Sequence, residues 1–291
     1  MTPAGRFAPS PSGELHVGNL RTALLAWLFA RSTGRGFLLR VEDLDRARAG
    51  AEAEQLRDLA AIGVTWGGAV VRQTERTHHY TEAIGQLTAA GLTYECFCTR
   101  REIQEAPSAP HAPQGAYPGT CRQLSGAELE FKRSRRPAAI RLRASLTEWT
   151  VRDELQGAFT GVVDDFVLRR NDGVTAYNLA VVVDDAEQGI DQVVRGDDLL
   201  PSTPRQAYLA SLLGLPVPFY AHVPLVVNSD GARLAKRDGA VTLGELAGAG
   251  VGVGAVREKI LGSLGLPGSL EEALAAFDPS SLPREPWVWA A

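Results

Sequence analysis

Residues 6–19 of the 291-residue chain read RFAPSPSGELHVGN, and this stretch decides the fold prediction. The segment Gly5–Ala8 is short and strand-like, and the prolines and glycine after it exclude a helix because each proline restricts the residue before it. From Asn19, which can cap a helix, apolar residues recur at helical spacing until Gly34. Phe37–Val41 then has the length and apolarity of a buried parallel strand. The sequence therefore predicts a right-handed βαβ unit.

The loop between this strand and this helix is the first candidate site. A proline- and glycine-rich loop that opens a helix presents backbone N–H groups and the positive end of the helix dipole, which suits a phosphate. His16 and Gly18 would bring an imidazole donor and an accessible backbone to the same polyphosphate. An arbitrary loop of this kind is more often a structural turn, so the loop alone is a weak indication.

The composition is that of a globular protein with two domains or so. Hydrophobic residues make up 45% and charged residues 22%, and no apolar run reaches the ~18 residues that a membrane span needs. We therefore expect a soluble, cytoplasmic protein. The net charge of −4 means that any nucleic acid would be bound by a local basic patch. Only Lys132, Lys236 and Lys259 are lysines among the 30 basic residues, so a lysine seldom falls in a motif by chance.

Two further amphipathic helices, Ala51–Ile62 and Thr77–Ala90, follow the first unit. After Tyr94 the regularity breaks, and we predict an inserted antiparallel segment over 96–177 that contains an Asn-Asp-Gly hairpin turn at 171–173. The predicted catalytic domain is discontinuous, with pieces at 1–95 and 178–222. A glycine-rich loop and short helices occupy 223–291.

The second candidate site consists of cysteines. Cys96, Cys98 and Cys121 are odd in number and closely spaced, which suits a reduced compartment and a tetrahedral zinc site better than disulfides. The fourth ligand stays open on the residues alone: His111 has the commoner ligand chemistry, and Tyr117 is the other candidate within the loop. With no open coordination position implied, the metal would be structural.

The quoted stretch, together with Arg21-Thr22-Ala23-Leu24 and Arg40-Val41-Glu42-Asp43-Leu44-Asp45, resembles the catalytic domain of class I glutamyl-tRNA synthetases. Residues 16–19, His-Val-Gly-Asn, take the place of the HIGH signature, with Asn19 departing from its last histidine. Residues 233–237, Arg-Leu-Ala-Lys-Arg, resemble the KMSKS loop, with Ala235 lacking the usual hydroxyl. The resemblance implies an α/β fold: a Rossmann-type parallel sheet of a class I aminoacyl-tRNA synthetase, with an inserted zinc-bearing α+β subdomain and a small C-terminal helical subdomain.

The resemblance also implies the site residues. For catalysis it implies His16, Gly18 and Lys236, and for ATP binding His16, Gly18, Asn19 and Lys236, with Mg²⁺ accompanying the nucleotide. For glutamate it implies Arg6, Ala8, Ser10, Glu42, Tyr177 and Arg195. Taken singly, each of these has an ordinary structural interpretation as a surface charge, a salt bridge or a core side chain. For zinc it favours Tyr117 beside Cys96, Cys98 and Cys121.

The length of the chain beyond the KMSKS-like loop indicates the branch of the family. Only 54 residues follow Arg237, so we expect no anticodon-binding domain and the function of a short paralogue. This implies ATP-dependent activation of L-glutamate without tRNA, then transfer to the queuosine base at the wobble position of tRNA(Asp). The alternatives are a truncated synthetase that charges a tRNA 3′ end and a non-catalytic glutamate or nucleotide sensor. We expect a monomer that binds the anticodon stem-loop, in part through a basic cluster between Lys132 and Arg143.

Overall fold

The structure is a computed structural model that describes residues 2–45, 47–105, 117–234 and 241–290. Its strands are β1 (Ala4–Phe7), β2 (Gly36–Val41), β3 (Val71–Arg72), β4 (Thr93–Cys96), β5 (Ala139–Leu142), β6 (Glu148–Asp153), β7 (Gly157–Val162), β8 (Val167–Arg169), β9 (Ile190–Gly196), β10 (Phe219–Val223), β11 (Val226–Val227) and β12 (Trp287–Val288). Its helices are α1 (Val17–Ser32), α2 (Ala51–Ala61), α3 (Thr77–Ala89), α4 (Arg100–Glu105), α5 (Gly126–Arg133), α6 (Tyr177–Glu187), α7 (Thr203–Leu213), α8 (Leu243–Gly248), α9 (Val253–Gly262) and α10 (Leu270–Ala275). No helix of the described ranges is both long enough and apolar enough to cross a membrane.

Within the described ranges, the main sheet has seven strands in the order β3-β2-β1-β9-β10-β6-β7. Strands β1 and β2, which precede and follow α1 in the chain, pair in parallel with each other. This confirms the predicted βαβ unit. Strand β9 pairs in parallel with both β1 and β10, so the parallel sheet resumes after the inserted segment as expected. The carboxyl ends of β1, β2 and β9 therefore meet at one edge, where ligands bind in open α/β sheets.

The hairpin of β6 and β7 differs from the prediction. We placed residues 148–162 in the inserted segment, but β6 pairs in parallel with β10 at Asp153 and Tyr220, and so extends the main sheet. The remaining strands of that segment, β5 and β8, form a separate antiparallel sheet with β4. Strand β6 alternates exposed with more buried residues, a pattern that does not reveal which sheet the hairpin joins.

Helix α1 lies in the centre of the larger core. Most of its 16 residues are buried, because the main sheet covers one side and α9 and α10 pack against it as well. A helix buried nearly all round has little amphipathic pattern, unlike an ordinary surface helix. Helices α8, α9 and α10 confirm the predicted C-terminal helical part.

Strand β12 pairs in parallel with β11, just before the KMSKS-like loop. The backbone N–H of Trp287 donates to Leu225 and that of Trp289 donates to Val227, at 3.0 and 2.8 Å. Trp287 and Trp289 thus brace the strand that leads towards residues 233–237.

Candidate active site

A cavity of about 410 Å³ opens at the carboxyl edge of β1 and β9. Among the described residues, all those predicted for glutamate and for the nucleotide line it: Arg6, Ala8, Ser10, His16, Gly18, Asn19, Glu42, Tyr177 and Arg195. These residues come from four separate stretches of the chain. Their convergence on one cavity is what a binding site for an amino acid and a nucleotide requires.

His16 is the N-cap of α1, a position that we had predicted for Asn19. The backbone N–H groups of Gly18 and Asn19 donate to His16 Nδ1 at 3.1 and 3.3 Å. In return the His16 N–H donates to Asn19 Oδ1 at 3.2 Å, so Asn19 closes a capping box. Because Nδ1 accepts, the ring proton of neutral His16 is assigned to Nε2, which makes that nitrogen a donor.

Gly18 is required by the packing of this turn. A Cβ at Gly18 would lie 2.9 Å from His16 Nδ1 and Cε1, and 3.3 Å from Val226 Cβ. Any side chain there would push the imidazole out of its capping position. The sequence suggested that glycine lets a phosphate approach, and the structure adds the contact with His16.

Arg6, the first of the two arginines predicted for the site, has an acidic partner. Arg6 pairs with Asp185 at 3.3 Å, and Asp185 also accepts from Arg40 at 2.8 Å. Although burial acts to raise it, the guanidinium groups of Arg6 and Arg40 hold the pKa of Asp185 below its ordinary value. Asp185 is thus a structural anchor for two arginines.

Glu42 follows the last residue of β2 and has a side chain only 11% exposed. Burial raises the pKa of Glu42, while Arg40 at 3.3 Å opposes that rise by favouring the carboxylate. A bound ammonium group would act in the same direction as Arg40 and stabilise the charged form. Glu42 is therefore suited to an amino group in the cavity.

Arg195 lies at the carboxyl end of β9 and is 5% exposed. Its Nη1 points to the hydroxyl of Tyr177 at 3.5 Å, and its Nη2 donates to Thr203 Oγ1 at 2.8 Å. Among the described residues, no carboxylate oxygen pairs with Arg195, in contrast to Arg6. Arg195 therefore retains a positive charge for an anionic group in the cavity.

Gln55 is a residue of the site that the sequence analysis missed. Its Nε2 donates to the carbonyl oxygens of Ser10 and Gly13, at 3.0 and 2.6 Å, and holds the loop that lines the cavity. The sequence pattern that could have revealed Gln55 is in α2, where Ala51, Gln55 and Leu59 recur at helical spacing; all three are buried. A glutamine on an apolar face indicates a buried hydrogen-bond role.

Lys236 and its neighbours at 235–240 lie outside the described residues, so their placement stays a prediction. The residues on both sides of this gap are at the cavity: Arg233 lines it and pairs with Asp198 at 2.7 Å. On the other side, the backbone N–H of Val17 donates to Val241 at 2.8 Å, and Thr242 bridges to His16. The two distant stretches of the site thus meet at the start of α1.

The cysteines form a second cluster at the end of β4, in the small sheet of β4, β5 and β8. The sulfur atoms of Cys98 and Cys121 are 3.6 Å apart, and the Tyr117 oxygen is 3.3 Å from Cys96 Sγ and 3.6 Å from Cys98 Sγ. Tetrahedral zinc, with Zn–S of about 2.3 Å and Zn–O of about 2.1 Å, separates two sulfurs by about 3.8 Å and a sulfur from an oxygen by about 3.6 Å. The donor spacing fits a zinc ion. His111 lies outside the described residues.

The basic cluster divides into two groups. Arg141 is buried, with its guanidinium 3.7 Å from the ring centre of Tyr117, so it is not available to a phosphate backbone. Lys132 and Arg133 form the last turn of α5, and Arg135 and Arg136 follow it; the three arginines are exposed and Lys132 is half-buried. Arg133 and Arg136 pair there with Glu95 and Glu102, at 2.7 and 3.5 Å.

Comparisons with known proteins identify the family. Residues 4–276 match the family described as tRNA synthetases class I (E and Q), catalytic domain. A protein of Nocardia farcinica named glutamyl-Q tRNA(Asp) synthetase is 67% identical over 98% of this chain and 92% of its own length. The chain belongs to the glutamyl-Q tRNA(Asp) synthetase family. It is therefore a ligase of the class I tRNA synthetase type, a group that uses ATP.

Other members of the glutamyl-Q tRNA(Asp) synthetase family are similar over most of the chain. The protein of that name from Symbiobacterium thermophilum is 45% identical over 97% of this chain and 94% of its own length. Among solved structures, a glutamate tRNA ligase from Elizabethkingia meningosepticum in complex with its amino acid is 28% identical, with a TM-score of 0.82. The match covers 100% of this chain and 67% of that one, which confirms the predicted fold class.

Proposed function

We propose that the protein activates L-glutamate with ATP in the absence of tRNA and then transfers the glutamyl group to queuosine at the wobble position of tRNA(Asp). The convergence of the predicted glutamate and nucleotide residues on one cavity carries this proposal. The names of the relatives, glutamyl-Q tRNA(Asp) synthetase, support tRNA(Asp) as the acceptor. The alternatives, a synthetase that charges a 3′ end and a sensor without turnover, are kept as outcomes of the tests below.

Activation needs positioned charge more than covalent help. A carboxylate oxygen of glutamate attacks the α-phosphorus of ATP, the bond to the departing pyrophosphate breaks, and negative charge spreads over the phosphoryl oxygens. His16 Nε2–H and the start of α1 are suited to that charge, and Lys236 is proposed to approach the leaving pyrophosphate. Mg²⁺ bound with ATP would neutralise part of the phosphate charge.

Glutamate recognition follows from the charges in the cavity. Glu42 offers a carboxylate for the α-ammonium group, and Arg195 offers an unneutralised guanidinium for a carboxylate. Arg6, whose charge is already balanced by Asp185, is better suited to shape the cavity and donate a hydrogen bond. In the transfer step a hydroxyl of the acceptor attacks the carbonyl carbon of the adenylate, and AMP leaves.

We propose that zinc is held by Cys96, Cys98, Cys121 and Tyr117, where it would brace the small sheet. The Cys121 N–H donates to the Tyr117 oxygen at 2.8 Å, an arrangement that favours a phenolate when a metal is bound. We expect Tyr117→Phe to lower zinc content measured by mass spectrometry of the purified protein, and His111→Ala to leave it unchanged. Loss of zinc in the histidine variant alone would contradict the assignment of Tyr117.

For tRNA we propose the exposed end of α5, with Lys132 and Arg135, as one contact to the phosphate backbone. The guanidinium of Arg135 lies 5.0 Å from the ring centre of Phe131, which is 60% exposed, so a cation and an aromatic face stand side by side. A cytoplasmic location would place the enzyme with this substrate.

Two assays test the proposal. Glutamate-dependent exchange of pyrophosphate into ATP without tRNA distinguishes the enzyme from a sensor, which would show none. Transfer of radiolabelled glutamate to tRNA(Asp) with and without queuosine distinguishes the two enzymes. We expect transfer only to the queuosine-containing tRNA; label that becomes attached to a tRNA 3′ end instead would establish the truncated synthetase.

A further inference from the structure

A buried hydrogen-bonded chain of three side chains lies behind the cavity and ends on Arg195. His222 Nδ1 is 2.6 Å from Asp153 Oδ2, and Arg195 Nε donates to His222 Nε2 at 3.0 Å. The exposed fractions are 3% for Asp153, 0% for His222 and 5% for Arg195. Of these three residues only Arg195 lines the cavity. Asp153 and His222 therefore act on a ligand only through Arg195.

The sheet itself sets up this chain. Asp153 ends β6, His222 is in β10 and Arg195 is in β9, and these strands are neighbours in the order β9-β10-β6. His222 is the register partner of Arg195, so their side chains emerge side by side on one face. The hairpin of β6 and β7 is thus the element that brings the acid to the site.

The protonation states along the chain follow from its hydrogen bonds. Asp153 accepts from the backbone N–H groups of Leu155, Gln156 and His222, at 2.9, 2.9 and 3.1 Å. Although burial acts to raise it, these bonds and the His222 side chain hold the pKa of Asp153 below its ordinary value. Burial lowers the pKa of His222. The aspartate is therefore ionised and the imidazole neutral at pH 7.

Only one tautomer of His222 satisfies both Asp153 and Arg195. It also lets the Thr203 hydroxyl, 3.1 Å from Nε2, donate to that nitrogen. The Nδ1–H donates to the Asp153 carboxylate, which leaves Nε2 as the acceptor for Arg195 Nε–H. Thr203 then accepts from Nη2 at 2.8 Å, so two sides of the guanidinium are fixed. The remaining N–H groups are those available to the cavity, where a forked arrangement suits a carboxylate.

The neutral imidazole orients Arg195 without neutralising its positive charge. An aspartate in direct contact would orient Arg195 equally well but would neutralise it, as Asp185 does for Arg6. With the His222 ring between the acid and the guanidinium, Arg195 is held in place and keeps its charge. We infer that Asp153 and His222 are positioning residues that orient Arg195 for the carboxylate of the amino-acid substrate without cancelling its charge. This inference rests on the proposed function.

Three variants test the inference. Asp153→Asn offers His222 a donor in place of an acceptor, which favours the tautomer whose Nε2 carries the proton and repels Arg195 Nε–H. His222→Leu removes the acceptor altogether. His222→Gln keeps one acceptor and one donor in a side chain of similar reach, and serves as the conservative rescue. Asp191→Asn is the matched control, because Asp191 is also on β9 but pairs with Arg35 at the surface.

We expect Asp153→Asn and His222→Leu to raise the KM for glutamate in pyrophosphate exchange by at least tenfold, with the KM for ATP changed less than twofold. His222→Gln should recover part of the loss, and Asp191→Asn should match the wild type. Glutamate binding measured by calorimetry should weaken in parallel. Thermal unfolding of each variant reports whether that variant folds. If one variant does not fold, the KM values of the other variants test the inference.

Equal changes in both KM values would overturn the inference, since a purely structural role would affect both substrates alike. Unchanged values in folded variants would overturn it as well. A wild-type protein that binds glutamate but shows no exchange refutes the proposed activity, and the calorimetric series then still decides the inference. A wild type that binds no glutamate overturns both.

Discussion

At the scale of single residues, the histidine of the HVGN stretch performs two tasks. His16 Nδ1 caps α1, and this fixes the ring so that Nε2 carries the proton. The same hydrogen bonds occupy the first N–H groups of the helix, which the sequence analysis had offered to phosphate. We therefore assign the donor role at this turn to the imidazole rather than to those N–H groups, while the dipole of α1 still favours an anion there.

The contact between Gly18 and the imidazole predicts the effect of the smallest possible substitution. Gly18→Ala places a Cβ 2.9 Å from the ring, so we expect the ring to leave its capping position and kcat for pyrophosphate exchange to fall at least tenfold. Loss of the cap should also cost about 1 kcal/mol in the free energy of unfolding. The control is Gly254→Ala in α9, where the added Cβ would come within 4 Å of no atom beyond its own stretch of helix, and which should keep full activity. A Gly18→Ala protein with wild-type exchange would refute the role given to the ring.

Glu42 permits a test of charge alone. Glu42→Gln keeps the shape and removes the negative charge, so we expect glutamate binding to weaken by about 10- to 100-fold, the equivalent of roughly 1.5–3 kcal/mol for a hydrogen bond between charged groups. Binding of glutarate, which lacks the amino group, should not weaken. Calorimetry with both ligands makes the comparison, and Glu52→Gln, which removes a surface partner of Arg72, is the control. Equal losses for both ligands would contradict a contact with the ammonium group.

At the scale of elements, helix α2 carries an unfavourable charge near its C-terminal end. Burial, together with the nearby Glu14, raises the pKa of Asp58 to about 6. A carboxyl group whose pKa is raised on folding stabilises the fold below its unfolded pKa of ~3.9, and that contribution is lost as the pH rises through 6. The ionised Asp58 also opposes the helix dipole.

We therefore expect Asp58→Asn to raise the free energy of unfolding at pH 7. The difference between the folded and unfolded pKa of Asp58 corresponds to roughly 3 kcal/mol. Solvent screening of this half-exposed carboxylate reduces the effect to about 1 kcal/mol. The gain should disappear near pH 4, and urea unfolding at the two pH values measures it. Glu271→Gln, in the first turn of α10, should instead lower stability slightly because a carboxylate there is favourable. A gain for Asp58→Asn that is equal at both pH values would contradict the titration argument.

At the scale of the whole molecule, two distant stretches meet at one cavity. Residues 6–19 lie along it, and Arg233 and Thr242, on either side of residues 235–240, contact the same region. We expect Lys236→Ala to lower kcat for pyrophosphate exchange by about 10²- to 10³-fold, the usual effect of losing one charge-stabilising group in a transition state. The dissociation constant for glutamate should not change. Lys132→Ala removes a lysine in the last turn of α5 and should leave exchange without tRNA intact; an equal loss in both variants would contradict a specific role for Lys236.

The local sequence was sufficient for the elements of the first unit and for most residues of the site. Strand, loop, helix and strand follow from proline chemistry, helical spacing and an apolar run, all of which act over a few residues. The assignment of the cavity residues came from the resemblance of motifs to a family. It placed Arg6 and Arg195 in one site, and both do line one cavity, but gave no means to tell their charge states apart.

The sequence by itself determined the α/β class, the cysteine cluster and the membership of the family, because each is written in short motifs or in composition. Only the tertiary structure decided that the β6–β7 hairpin joins the main sheet, and which partner each arginine has. Arg6 meets Asp185 across 179 positions and His222 meets Asp153 across 69, so these pairings depend on which strands become neighbours. A buried charge takes its state from the groups that surround it, and strand order in the folded sheet selects those groups.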